Sequence, residues 1–304
     1  KKIMKASAGA IIALIFIFAL IAIFAYYFLG SGTQTTVTTT PSGNFDFTLK
    51  FFKGNEEVSS IESNSQVSWI LNLTNGYDVP IRDIKMVLIR PSIIDIRTTE
   101  FFIGEIREKS YEKIEGVASV GDMPQDMRVN IVVKTNFTIS HSKSFKVTVI
   151  TEEAYSNRLY EERIIGIRDE ENKSKIYPMS ISIVEEGSKI NYTYSRKAER
   201  DFFPFSIEVF AKEKCMSNIT LELTPLTERN FQLECKYGRE TKTISEARKS
   251  ITFEIDPNAR QKVSCRYKYY TLDDSDIRTF EFKVSATCRA TKEKTFSIQL
   301  TKKA

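Results

Sequence analysis

One histidine, one tryptophan and four cysteines are all that 304 residues contain of those types. Each scarcity excludes a class of chemistry. With His141 alone, no pair of imidazoles is present to hold a zinc ion, and a catalytic triad has no neighbours to complete it. His141 sits in the stretch SHSKS, residues 140–144, which reads as a turn carrying a surface histidine. No G-x-S-x-G, phosphate-binding loop, G-x-G-x-x-G, H-E-x-x-H or C-x-x-C motif occurs. Acidic residues are scattered among basic ones, so no carboxylate pair stands out for acid–base work. The reading is a protein that is not an enzyme, with no catalytic residue, no metal and no cofactor.

Strong charge of one sign is missing too. The formal net charge is +5. Setting aside Lys1, Lys2 and Lys5 leaves 41 basic against 39 acidic residues. Nucleic acid is therefore not expected as a partner. Charged residues make up 27% and hydrophobic ones 41% of the chain. That composition belongs to folded, not disordered, protein.

The cysteines Cys215, Cys235, Cys265 and Cys288 all fall in the last third. Their spacings match no zinc signature. Cys235 continues the alternation of Phe231 and Leu233, Cys265 that of Val263, and Cys288 that of Phe280 to Ala286. Cys215 keeps the parity of Phe205, Ile207 and Val209. All four are expected to point inward and to form two disulfides, in any of three pairings.

Against these absences stands one long apolar run, Ala6 to Leu29, without a charge or a proline. As a helix rising roughly 1.5 Å per residue it exceeds the bilayer core. Lys1, Lys2 and Lys5 precede it, which by the positive-inside rule keeps the N-terminus cytoplasmic and the rest outside. Tyr26 and Tyr27 lie at the exit end, where amphipathic rings favour the interface. Ala10, Ala13, Ala19, Ala22 and Ala25 recur at multiples of three and form a shallow side for close helix packing. The chain opens on Lys1 and not on methionine, as expected if a leader is cut just ahead of the helix; trimming of the first residue is the other explanation.

Residues 30–43, GSGTQTTVTTTPSG, read as a Gly/Ser/Thr linker. Beyond them the period becomes two. Phe45, Phe47, Leu49 and Phe51 alternate with polar residues, and so do Val67, Trp69, Leu71 and Leu73. The pattern returns at Ile84 to Leu88, Val129 to Val133 and Phe145 to Val149. Residues 44–170 are predicted to be a first antiparallel β-sandwich. The charged run of residues 168–175 marks the expected boundary. A second sandwich with the four cysteines is predicted over 171–304. The fold class is thus mainly β: one long N-terminal hydrophobic helix, residues 1–29, followed by two tandem Ig-like sandwiches. Five N-x-[ST] sequons make Asn72, Asn136, Asn172, Asn191 and Asn218 candidates for N-glycosylation on an external protein.

The basic run, apolar helix, Thr/Ser linker and β domains together resemble archaeal type IV pilins and archaellins, whose signal peptides are of class III. That resemblance implies a structural subunit of an extracellular filament, with an adhesive role. It implies a homopolymer built through residues 6–29, insertion in the membrane before assembly, and processing by a prepilin peptidase and a pilus assembly machinery. Its further partners are the surfaces or cells to which the filament adheres. The alternative is a surface protein held permanently in the membrane, as a binding receptor or a filament accessory factor.

Overall fold

A computed structural model describes residues 43–157, 165–169, 174–185, 192–194, 203–226, 231–258, 261–269 and 276–303. The strands up to the middle of the chain are β1 (Phe45–Lys53), β2 (Glu56–Val58), β3 (Ser60–Glu62), β4 (Gln66–Asn75), β5 (Ile81–Ile89), β6 (Ile94–Ile96), β7 (Glu100–Ile106), β8 (Tyr111–Val120) and β9 (Met127–Thr151). A short helix α1 (Glu152–Ser156) and strands β10 (Gly166–Asp169), β11 (Met179–Glu185), β12 (Thr193–Tyr194) and β13 (Phe203–Ala211) follow. The remainder comprises β14 (Lys214–Cys215), β15 (Ile219–Pro225), β16 (Phe231–Tyr237), β17 (Glu240–Ile244), β18 (Ile251–Ile255), β19 (Gln261–Tyr269) and β20 (Ile277–Thr301).

Three sheets form. One has the order β2-β1-β4-β8-β6, and another β11-β13-β19-β16-β17. Between them in the chain's logic lies a ten-stranded sheet with the path β18-β15-β20-β9-β5-β7 and β3, β10, β12 and β14 attached. Its spine is the antiparallel pair β9 and β20, each 25 residues long. Their register runs unbroken from Ile277–Ile150 to Leu300–Met127. Along β9 the odd-numbered residues from Val129 to Val149 are buried. One face of one strand therefore serves both cores. Near its start Phe137 meets Phe45 of β1 at 4.6 Å between ring centroids. Near its end Phe145 stacks on Phe282, which in turn meets Phe205 of β13 at 5.2 Å.

This corrects the predicted fold class. The two sandwiches are not tandem modules. They are fused through a common sheet, and residues 41–304 form one compact unit. Among the described residues the only helix is α1, capped by the Thr151 side chain, which accepts from the Ala154 amide at 3.2 Å. No helix there is long and apolar enough to cross a membrane. The predicted helix over residues 1–29, its alanines Ala10, Ala13, Ala19, Ala22 and Ala25, and the linker to residue 42 lie outside the described residues.

His141 is corrected as well. Residues 140–144 are not a turn but the middle of β9, and His141 is only 4% exposed. Its ring lies 4.0 Å from that of Tyr177. Two positions on, the buried Lys143 ammonium donates to the Ile181 carbonyl of β11 at 3.1 Å. These two polar residues occupy the inward positions that follow Phe137 and Ile139 and precede Phe145. The expected boundary at 168–175 begins inside β10, which pairs with β9. Just beyond it, the Ile176 amide donates to the Asp78 carboxylate at 2.6 Å.

A bulge in β5 shows how phase is kept elsewhere. Ile81 and Ile84 are both buried although three apart. The register shifts between Arg82 and Lys85, and Asp83 takes φ of 52°. The extra residue resets the alternation so that Met86 and Leu88 also face inward.

Candidate cleft at Trp69

A concavity lies at the open side of the first sandwich. Strand β4 sends Val67, Trp69, Leu71 and Leu73 inward. Trp69 pairs in register with Gly116 of β8. A side chain at Gly116 would collide with the indole: its Cβ would lie 2.6 Å from Cε2 and 2.8 Å from Nε1 of Trp69. Glycine thus lets the ring lie across the β8 backbone toward the edge of the sheet. From the opposite sheet, Phe101 of the edge strand β7 meets the indole edge-on, with centroids 5.8 Å apart. Edge-to-face packing of this kind suits the ring quadrupoles.

Strand β6 pairs with β8 only from Ile94–Val120 to Ile96–Ala118. The chain then crosses to β7, and a cavity of about 350 Å³ opens. Its lining combines Trp69, Ile96, Phe101, Gly116 and Val117 with the polar residues Gln66, Asp95, Arg97, Thr98, Glu115 and Ser119. Trp69 is 1% exposed. Its indole N–H is buried and meets no acceptor among the described residues. A buried donor without a partner costs about 1–3 kcal/mol.

The rim is electrostatically balanced. Asp95 is 2.9 Å from the Arg90 guanidinium, and Glu115 pairs with Lys113. Arg97 has no ion-pair partner among the described residues. No histidine or cysteine lines the cleft. The cleft sits beside an indole that is itself buried, and alternation places Glu115 and Ser119 on the face of β8 opposite Gly116.

Other predicted residues lie apart from this cleft. Asn72 is half-buried on β4, cross-strand from Thr48 and Lys113. Asn136 is half-buried in β9, its side-chain oxygen shielded from solvent. Asn218 is exposed just ahead of β15. Asn172 and Asn191 lie outside the described residues. The cysteines form two disulfides, Cys215–Cys288 and Cys235–Cys265. The second joins residues directly opposite on β16 and β19. Cys215 is half-buried and the other three buried, close to the inward placement expected from phase. Among the described residues no cluster of His, Cys, Asp and Glu is arranged to hold a metal. Trp69 was legible only as a core residue; nothing in the alternation signals that its edge opens to a cavity.

A second polar cluster joins the two cores. The Tyr77 hydroxyl donates to Glu213 at 2.6 Å, and the Phe45 amide donates to the same carboxylate oxygen at 3.3 Å. Burial first, then the Glu213 carboxylate, pushes the Tyr77 hydroxyl well above the ordinary tyrosine value. Beside it, the Ile176 amide and the Lys109 ammonium hold Asp78 below the usual carboxylate range.

No family model matches the chain, and no curated protein matches it. Among solved structures, a secreted serine protease, VesC from Vibrio cholerae, aligns over 85% of this chain and 53% of its own, at 7% identity and a TM-score of 0.22. The chain thus spans about half of that protein. At this similarity the alignment carries no argument about fold or activity.

Proposed function

We propose that the chain is a structural subunit of a cell-surface filament of the archaeal type IV pilin kind, assembling through its apolar segment, residues 6–29. The observation that carries this reading is the combination of that segment with a β body spanned by one uninterrupted two-strand ladder. At about 3.3 Å per residue, a 25-residue strand extends roughly 80 Å. A ladder of that length resists bending between the two cores, as suits a repeated structural element. The two disulfides support a place outside the cell, since such bonds persist in oxidising compartments. The proposal brings partners with it: copies of itself, the membrane before assembly, and the peptidase and machinery that process and extrude such subunits. Adhesion to surfaces or cells belongs to the same reading.

Self-association through residues 6–29 would make heterologous contacts that do not close, and these generate a helical polymer. Negative-stain electron microscopy of material sheared from cells tests it. Filaments whose tryptic peptides belong to this chain are the expected result. Recovery solely as discrete particles from detergent-solubilised membranes would replace the filament with a permanently anchored surface protein.

A further inference from the structure

We propose that the free edge of β7 is a self-association surface, on which a second copy of this chain lays its own β7 antiparallel to the first. The three sheets end in six edge strands: β2 and β6, β18 and β7, and β11 and β17. Open edges invite pairing with other chains, and five of these six are blunted. β2 and β6 are each three residues long. β17 carries an ion pair between Glu240 and Lys242 at 2.8 Å. The Thr252 carbonyl of β18 accepts from the Lys242 ammonium, and the Ile181 carbonyl of β11 accepts from that of Lys143 at 3.1 Å. Strand β7 has none of these devices. Its seven residues, EFFIGEI, include no proline and no lysine. Apart from β5, no strand pairs with it among the described residues. Phe102 on its outer face is 72% exposed, the highest value for any large hydrophobic side chain among the described residues.

The strand also matches itself when reversed. Inner and outer faces stay in phase only if the two-fold axis passes through a residue, because successive side chains alternate. An axis at Phe102 sets that ring opposite its own copy on the outer face. On the inner face it sets Phe101 opposite Ile103 of the second copy, and Ile103 opposite Phe101. Both are half-buried, so each has apolar surface left to cover. Aromatic–aromatic and aromatic–β-branched pairs are favourable cross-strand neighbours. Glu100 falls opposite Gly104, around which the space for a side chain is open. No carboxylate meets its own copy. Glu100 already pairs with Lys85 at 3.3 Å and Glu105 with Arg82 at 2.8 Å. An axis at Ile103 would instead set Phe101 against Glu105. A second copy thus supplies matching side chains on both faces at once, which selects it over an unrelated extended segment.

The inference does not rest on filament assembly. All four native cysteines are held in disulfides, so one introduced cysteine gives the chain a single free thiol. Phe102→Cys and Glu100→Cys, both at exposed positions of the same edge, are made in the full-length chain and oxidised in detergent. In Phe102→Cys the two thiols face each other at the axis. In Glu100→Cys they lie roughly 13 Å apart along the strands, at about 3.3 Å per residue. Phe102→Cys is expected to form its intermolecular disulfide at least about tenfold faster, since cysteines with Cα atoms more than about 7 Å apart are not bridged without backbone movement. In the native chain, hydrogen exchange of the β7 amides is expected to slow as protein concentration rises. Phe102→Lys, which places two ammonium groups at the axis, is expected to remove that dependence without lowering the melting temperature. Equal cross-linking rates in the two cysteine variants overturn the proposal, because random collision or parallel pairing gives that result. So does protection of the β7 amides that is independent of concentration, which would put another segment of the same chain on the edge.

Discussion

The two cores use the same strand alternation and opposite fasteners. The core under β1, β4 and β8 contains no cysteine. It is held by an aromatic cluster and by a buried amide: Asn75 is fully buried, and its Nδ2 lies 2.8, 3.2 and 2.9 Å from the carbonyls of Val79, Ile106 and Arg107. Its Oδ1 accepts from the Tyr77 amide at 3.0 Å. Lysines of β20 add to this closure, Lys294 donating to the Phe47 carbonyl at 2.9 Å and Lys292 to that of Phe45. Both disulfides join strands other than β1, β4 and β8, and one of them lies over the core under β13, β16 and β19. One stitches two strands within its covering sheet, and the other ties β14 to β20 of the common sheet. The stability of one core is set by packing and hydrogen bonds alone, whereas that of the other is coupled to redox conditions. Because β9 and β20 run through both, neither core is expected to unfold without weakening the other.

Reduction is the strongest way to break this symmetry. The cysteines are 73 residues apart in Cys215–Cys288 and 30 apart in Cys235–Cys265. Chain-entropy arguments give about 4.4 and about 3.6 kcal/mol for closing loops of those lengths. Denaturant titration of Cys215→Ser/Cys288→Ser and Cys235→Ser/Cys265→Ser proteins is expected to show both losses, the first the larger. Hydrogen exchange should quicken most in β13, β16 and β19. Uniform quickening in β1, β4 and β8 would show that the long ladder transmits the whole loss.

Asn75→Ala attacks the other core. It leaves three carbonyls and one amide without their side-chain partner, and about 3 kcal/mol of destabilisation is expected. Urea midpoints measure this with and without reductant. The loss is expected in both conditions, since no thiol is involved.

The joint between the cores responds to alkali. Tyr77 holds its proton more tightly in the folded chain than in the unfolded one. Its contribution is therefore complete below the ordinary tyrosine value, about 10, and is lost as pH rises above it. Melting temperature measured from pH 8 to 11 is expected to fall more steeply in the native chain than in Tyr77→Phe. Asp78 has the opposite sign, because its folded value is lowered. Its contribution is present above the usual carboxylate range, about 4, and is lost as acid takes pH down through the folded value. Asp78→Asn is expected to flatten that acid limb.

The smallest effect belongs to the surface. Lys50 and Glu57 form an ion pair at 2.7 Å with both side chains about half exposed. Glu57→Gln is expected to change stability by less than about 0.5 kcal/mol, since exposed pairs are screened and cost side-chain entropy. A larger loss in thermal melts would mean that the β1–β2 edge contributes more than its exposure implies.

The alternating residues by themselves determined that this body is β, which side of most strands is buried, and that the cysteines lie on inward positions. Period two reports one-sided burial directly, because successive side chains leave a strand on opposite faces. The same signal fails where both faces are polar. Residues 140–144 of β9 read as a turn, so one 25-residue strand appeared as two shorter ones. Only the tertiary structure decided that the ladder continues through them, because backbone pairing with the neighbouring strand does not depend on side-chain polarity. It also chose one of three disulfide pairings, since that choice depends on which strands lie side by side. The Trp69 cleft was settled in the same way. The sequence marks Trp69 as inward, but the cavity arises because Gly116 lies opposite it, β6 ends early and Phe101 arrives from another sheet.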